Sequence, residues 1–339
     1  MKETGKFPNV ICDGVPAVMG DVHLSPNARI ALYGEGCFDT FRSYRGGIVR
    51  PDHHLDRLHR GMRYLGLGIP DGLRDRSMFL NLLKRLLEVN DGFDDEVRIR
   101  IQIWADDHTA GYCPGNRTAR YIITGSVITS AAIHLTDSDR SGIYDDSDNP
   151  DRTDTPVRPG TFSDTGNHIM SEKPDDSDRS VELITSRYRR ISSVSLPSDV
   201  KWTNGINYIL AAREAAEKNA DDALMLTSDG YLSESTIANI FWRYDNTVYT
   251  PSEDCDLLPG ITRALTMDVL NEFDFPVQTG KFQPEELMKA DTVWLCNSIR
   301  EWYPVSRIDD HHFTTDKSFW STLGGFLQQR KHQEMHYVR

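Results

Sequence analysis

Between residues 136 and 180 the chain offers nothing to bury. The stretch is built from Asp, Ser, Thr, Pro and Gly, and its few apolar side chains stand isolated from one another. Such a segment cannot remove enough nonpolar surface from water to offset the entropy of ordering it. It therefore divides the sequence into two parts that must each form their own core. The expectation is a small unit over 1–135, a flexible acidic insertion over 136–180 and a larger unit over 181–339. Twelve acidic and five basic side chains in the insertion contribute −7 to the formal net charge of −13, leaving −6 for the rest. The insertion reads as a solvated linker or surface rather than a binding element.

A length of 339 residues exceeds what one small core organises, and 38% hydrophobic residues suffice for two sizeable cores. An acidic chain is a poor match for nucleic acid or an anionic membrane, which attract an excess of Lys and Arg. No apolar run approaches the ~18 residues of a membrane span, and the first residues lack the long apolar stretch of a leader. A cytoplasmic enzyme is expected. Five cysteines, Cys12, Cys37, Cys113, Cys255 and Cys296, are odd in number and scattered. They suggest neither a disulfide framework nor a zinc site, and no metal is expected.

In the first third, 30–33 and 40–44 read as strands, the second turning at Gly46-Gly47 into Ile48-Val49. Leu55, Leu58, Met62 and Leu65 recur at helical spacing over 54–65, ahead of Gly66, and 78–89 follows the same logic. The alternation through 97–104 predicts a half-buried strand, with 120–128 beside it. After the insertion come a strand at 181–185 and a helix over 206–218, with Ile206, Ile209 and Leu210 starting its apolar face. Hairpins follow around Ser228-Asp229-Gly230 and Asp245-Asn246, then a helix over 262–273 and a strand at 292–296.

Chemistry enters at four places. Leu258-Pro259-Gly260-Ile261-Thr262-Arg263 leads into a helix, so free N–H groups at Ile261 and Thr262 would form an anion cradle, although turns before helices are common. Lys201 stands between strand and helix, where a lysine is usually solvated. Glu234 precedes the apolar run 237–241, and would need a partner if buried. Arg57 lies on the polar side of its helix. Each of these residues has an ordinary surface reading as well.

Together they resemble a known family. Tyr33-Gly34-Glu35-Gly36-Cys37-Phe38-Asp39-Thr40 is similar to Y-G-D-G-x-[FY]-E-x, and His54-Leu55-Asp56-Arg57-Leu58 to H-L-x-R-L. Lys201-Trp202-Thr203-Asn204 resembles K-x-x-N, and residues 230–241 resemble G-x-[LV]-x-E-x-x-x-x-N-[IL]-F. The segment 258–263 and the stretch from Ser298 to Pro304-Val305 complete six motifs in order. The set resembles the fold-type IV pyridoxal-phosphate enzymes, which include branched-chain and D-amino-acid aminotransferases and aminodeoxychorismate lyases.

The resemblance implies an α+β fold of two domains, a smaller N-terminal α/β domain and a larger strand-rich C-terminal one. It implies pyridoxal 5'-phosphate held covalently by Lys201, which would also move the proton at the substrate α-carbon. Glu234 would face the pyridine nitrogen and Arg57 would grip the phosphate by a bidentate contact. Ile261, Thr262 and Ser298 would complete the phosphate cup, while Tyr33, Arg98 and Arg100 would contact substrate. For the two arginines, cross-strand pairing with acidic neighbours is an equal alternative.

The sequence departs from the pattern at Asp39, where many relatives carry Glu, and at Ile206, where branched-chain enzymes place a Tyr. Cys296-Asn297-Ser298 looks more like the lyase version. The reading is an aminotransferase acting on an amino acid (branched-chain or D-amino acid) and a 2-oxo acid, as a homodimer. The alternative is a lyase that releases pyruvate and 4-aminobenzoate from aminodeoxychorismate. The intact Lys201, Glu234 and Arg57 set argues against a non-enzymatic binding protein.

Overall fold

The structure, a computed structural model, describes residues 5–115, 117–128 and 180–339. The acidic insertion expected over 136–180 lies outside the described residues apart from Ser180.

The first part builds an antiparallel sheet from β1 (Asn9–Cys12), β2 (Val15–Val18), β3 (Gly36–Tyr44), β4 (Gly47–Val49), β5 (Glu96–Asp106) and β6 (Thr118–Val127). Their order across the sheet is β4-β3-β5-β6-β1-β2. In β5, Val97, Ile99, Ile101, Ile103 and Ala105 are each at most 1% exposed while their neighbours are more open, so one face is buried and one is not. Among the described residues, this part holds three α-helices: α1 (Arg29–Tyr33), α2 (Pro51–Tyr64) and α3 (Arg76–Glu88). Pro51 opens α2, where a missing N–H costs nothing. Asp75 caps α3 by accepting from the Met78 N–H at 2.9 Å. Leu55, Leu58 and Met62 of α2 and Phe79, Leu82, Leu83 and Leu86 of α3 close over Phe41 and the buried side of β5. The β3–β4 turn places Arg45 and Gly46 at φ 52° and 85°, the pair of positive values a tight hairpin needs.

The expected strand at 30–33 is instead the helix α1. A four-residue apolar run is too short for its period to separate the two states. Here the Leu32 N–H donates to the Ala28 carbonyl at 3.0 Å, and Gly34, at φ 66°, ends the turn.

The second part contains β7 (Val181–Thr185), β8 (Asp222–Leu226), β9 (Leu232–Ser235), β10 (Asn239–Tyr244), β11 (Thr247–Pro251), β12 (Val277–Gly280), β13 (Thr292–Asn297), β14 (Glu301–Ile308) and β15 (His311–His312). Its helices are α4 (Ile206–Glu217), α5 (Ile261–Glu272), α6 (Pro284–Leu287) and α7 (Lys317–Gln333). The strands run in the order β12-β11-β10-β13-β14-β7-β8-β9, with β15 on β14. Then β9 meets β10 again through Glu234 and Asn239, so the sheet curls round onto itself. Leu183, Leu224, Leu232, Ile240, Trp242, Val293, Leu295 and Val305 fill the inside. Phe241 and Trp294 face outward, stacked at 5.5 Å, beneath α5 and α7. A last strand, β16 (Met335–Tyr337), returns to the first sheet and pairs with β4.

The face expected on α4 is also corrected. Ile206 and Ile209 are each 61% exposed, and the buried residues are Ala211, Glu214 and Ala215, the two alanines packed against Ile184, Ala223 and Met225. Small residues let the helix approach the sheet closely, so size rather than hydrophobicity chose the face.

Truncating Trp294 to Ala should cost ~3–5 kcal/mol in urea unfolding, the usual loss for a buried aromatic. Ile209→Ser, on the open side of α4, should cost no more than ~0.5 kcal/mol.

Candidate active site

Lys201 is delivered by an extended segment that docks along the free edge of β3. The Phe38 N–H donates to the Lys201 carbonyl at 2.9 Å, and the Thr203 N–H to the Gly36 carbonyl at 3.0 Å. Cys37 and Trp202 face each other across this bridge. Val200 is buried in the first core, the Trp202 indole donates to the Pro197 carbonyl at 2.7 Å, and Gln102 Nε2 donates to Thr203 Oγ1 at 2.7 Å. The lysine between them is half-buried, with Nζ 5.8 Å from the centre of the Phe38 ring. Loss of hydration and the nearby Arg57 guanidinium bring its ammonium down to about 8, against the opposing pull of Asp39 and Glu234.

Behind β3 lies a buried ionic group. Asp39, fully buried, accepts from Arg57 Nε at 3.1 Å and Nη2 at 2.6 Å, and sits 3.0 Å from His54 Nδ1. Burial alone would raise its carboxyl, but Arg57 and His54 hold it well below the usual carboxylate range. Burial moves His54 the other way, lowering it. One edge of the Arg57 fork is therefore committed to Asp39, and only the remaining N–H groups could reach a ligand.

Glu234, 4% exposed, sits where β9 closes onto β10. Its Oε2 accepts from Asn239 Nδ2 and from the Leu258 N–H, both at 3.1 Å. Oε1 accepts from the Tyr208 hydroxyl at 3.2 Å and lies 3.3 Å from Arg190 Nε. Burial still leaves the carboxyl raised, with Arg190 the chief opposing influence.

At the start of α5, Gly260 caps the helix without a side-chain bond, so the first-turn N–H groups at Ile261 and Thr262 carry no capping oxygen. Thr262 Oγ1 and Ser298 Oγ stand 3.4 Å apart. These residues share a pocket with Phe41, Arg42 and His54 of the first part; Lys201, Glu234 and Arg57 do not line it. Arg42 steadies the Ser298 turn by donating from Nη1 to the Ile299 carbonyl at 2.9 Å.

Arg98 and Arg100 share the open face of the first sheet with Phe38 and Thr40. Arg100 lies 3.7 Å over the Phe38 ring, donates to Gln102 Oε1 at 2.8 Å, and is close enough to lower the Lys201 ammonium further. Directly opposite Arg98 are Arg42 and Ser126, and opposite Arg100 are Thr40 and Thr124, so no acidic residue faces either one across the strands. Tyr33 is engaged elsewhere, its hydroxyl accepting from the Gly111 N–H at 2.8 Å.

The donor set fits a phosphorylated pyridine aldehyde: a desolvated amine, a buried carboxylate for a ring nitrogen, and an uncapped helix start with two hydroxyls for a phosphate. Thr40 Oγ1 is buried without a partner among the described residues, on the same face as Phe38, the kind of orphan a ligand would satisfy. Sequence reasoning gave no role to Arg190, Tyr208 or Asn239. Asn239 was the asparagine of the 230–241 motif, and Tyr208 lies two positions beyond Ile206, within the same helix start; nothing pointed to Arg190.

Comparison with known proteins shows the family to which the chain belongs. A family profile described as "Amino-transferase class IV" matches residues 36–157 and 164–308. The aminodeoxychorismate lyase of Bacillus subtilis is 27% identical over 86% of this chain and 84% of its own length. Branched-chain-amino-acid aminotransferase-like protein 2 of Arabidopsis thaliana is 28% identical over 81% of this chain, which spans only 41% of that protein. The branched-chain amino acid aminotransferase of Thermobaculum terrenum, solved in its PLP-form, shares the fold with a TM-score of 0.77. That match covers 99% of this chain and 100% of the other at 18% identity. The chain belongs to the class IV aminotransferase family of enzymes.

Proposed function

We propose that this chain is a pyridoxal-phosphate aminotransferase that moves an amino group between an amino acid and a 2-oxo acid, with Lys201 as its cofactor lysine. The observation that carries the reading is the docking of Lys201 on β3, with Nζ 5.8 Å from the Phe38 ring centre, where burial and the charges of Arg57, Asp39 and Glu234 bring the amine to about 8. With an amine near 8, about a tenth is uncharged at pH 7, where an ordinary lysine offers less than about a thousandth.

Once bound, the cofactor ring takes up the electron pair left when the substrate α-carbon loses its proton. The chain's own residues do the rest. Lys201 Nζ, freed by substrate, accepts and returns that proton. Glu234 holds a proton on the ring nitrogen. The free N–H groups of Arg57, the N–H groups of Ile261 and Thr262 and the Thr262 and Ser298 hydroxyls take the phosphate. Arg98 and Arg100 receive a substrate carboxylate on the open sheet face, and a role for Tyr33 would require its hydroxyl to leave the Gly111 N–H.

A homodimer in the cytoplasm belongs to the same reading. Val15, Val18, Met19, Leu24 and Leu32 leave apolar surface open on the first part, which supports a subunit contact there. Among the described residues, no helix is long and apolar enough to cross a membrane.

The lyase remains a second reading, supported by the match to the Bacillus subtilis enzyme along most of both chains. An amino donor alone should convert the bound cofactor to pyridoxamine phosphate if transamination is the activity. Pyruvate release from aminodeoxychorismate without that conversion would favour the lyase. In Lys201→Ala, borohydride should fix no cofactor to the chain, and a labelled variant would count against the assignment. The rate of cofactor attachment to the apoprotein should climb about tenfold per pH unit and level off above about 8, because only the uncharged amine attacks. A rate still climbing at about pH 10 would mean an ordinary lysine.

A further inference from the structure

We propose that Arg190 is a positioning residue for the cofactor's ring nitrogen, acting through Glu234 to keep that buried carboxylate charged. The inference rests on the reading of Lys201 and Glu234 given above, and on geometry that none of the six sequence motifs contains.

Arg190 is itself buried, at 7% exposure. Its Nε and Nη2 donate to the Asp256 carbonyl at 2.9 and 2.5 Å, and its own N–H donates to the Leu226 carbonyl at 2.9 Å. These bonds fix the guanidinium where Nε lies 3.3 Å from Glu234 Oε1. Nη1 donates to the Tyr208 hydroxyl, which in turn donates to the same oxygen at 3.2 Å. Asp256 lies two residues before Leu258, whose N–H holds the other oxygen at 3.1 Å. Arginine, turn and carboxylate thus form a closed ring of contacts.

The charge has a specific use. A carboxyl taken out of water prefers to be neutral, and a neutral acid cannot hold a proton on a pyridine nitrogen. The charged groups acting on Glu234 are Arg190, Lys201 and Arg263 of α5. The Asp256 carboxylate is occupied by the Ser193 N–H at 2.7 Å. Lys201 would no longer be a free ammonium once joined to the cofactor, and Arg263 ranks behind both in its influence. Arg190 is then the principal fixed cation, and it decides whether the shared proton sits on the ring or on the carboxyl.

The test uses the cofactor-loaded enzyme, reading pyridoxal-phosphate affinity and the single-turnover rate with an amino donor against pH. Arg190→Gln keeps amide donors for Asp256 but removes the charge. It should lower affinity and rate about tenfold or more at neutral pH, with the loss shrinking as pH rises and Glu234 ionises unaided. Arg190→Lys should restore most of both. On a Glu234→Gln background, Arg190→Gln should add nothing, since its effect runs through that carboxylate. An unchanged pH profile in Arg190→Gln, or full additive losses in the double variant, would overturn the proposal. Should Arg190→Gln fail to fold, Arg190→Lys decides alone: a wild-type pH profile supports the proposal, and a shifted one overturns it. A wild-type protein that borohydride cannot label would instead sink the reading of Lys201 beneath it.

Discussion

Two backbone hydrogen bonds, Phe38 N–H to Lys201 and Thr203 N–H to Gly36, join the halves of the molecule at its most important residue. They extend the first sheet by a few residues taken from the second part of the chain. Everything chemical in the site depends on this register. A shift of one residue would turn Lys201 away from Phe38 and send Trp202 toward it. The docked segment is pinned on both sides, by Val200 in the first core and by Gln102 on the Thr203 hydroxyl. The lysine can thus be partly stripped of water without being free to swing out.

Around that amine, charge is laid out in alternation. His54 and Arg57 hold Asp39 ionised behind β3, and Arg57 and Arg100 disfavour a proton on Lys201. In the second part, Glu234 and Arg190 form another buried ion pair. The two buried carboxylates, Asp39 and Glu234, each have a cationic partner, as burial demands. The partners come from different parts of the chain: Asp39 from β3, Arg57 from α2, Arg190 from the loop after β7 and Glu234 from β9. Only the Lys201 amine takes its influences from both sheets, from Asp39, Arg57 and Arg100 of the first and Glu234 of the second.

Much of this was legible beforehand, for reasons that differ by residue. Lys201, Glu234 and the 258–263 turn, the candidates for the proposed chemistry, stand in local motifs, and the helices over 51–64 and 76–88 announce themselves by spacing. The misreadings share one physical origin. Residues 30–33 form a helix because of a backbone bond to Ala28 and a glycine end, neither visible in four apolar letters. On α4 the sequence pointed to Ile206 and Ile209, yet close approach to the sheet favoured Ala211 and Ala215. The strands β1 and β2, helix α7 and the return of β16 to β4 escaped notice because their apolar patterns are weak and their partners distant.

By itself, the sequence determined the elements with strong periodicity, the family, and the residue types on which the proposed chemistry depends, since these are written in near neighbours. Tertiary structure alone decided which groups meet. It brought Arg190 and Tyr208 to Glu234, committed one edge of Arg57 to Asp39, and left the Thr40 hydroxyl without a partner among the described residues. The physical reason is range. Hydrogen bonds and ion pairs act over a few ångströms in space, and separation along the chain, 44 residues for Arg190 and Glu234, carries no information about them.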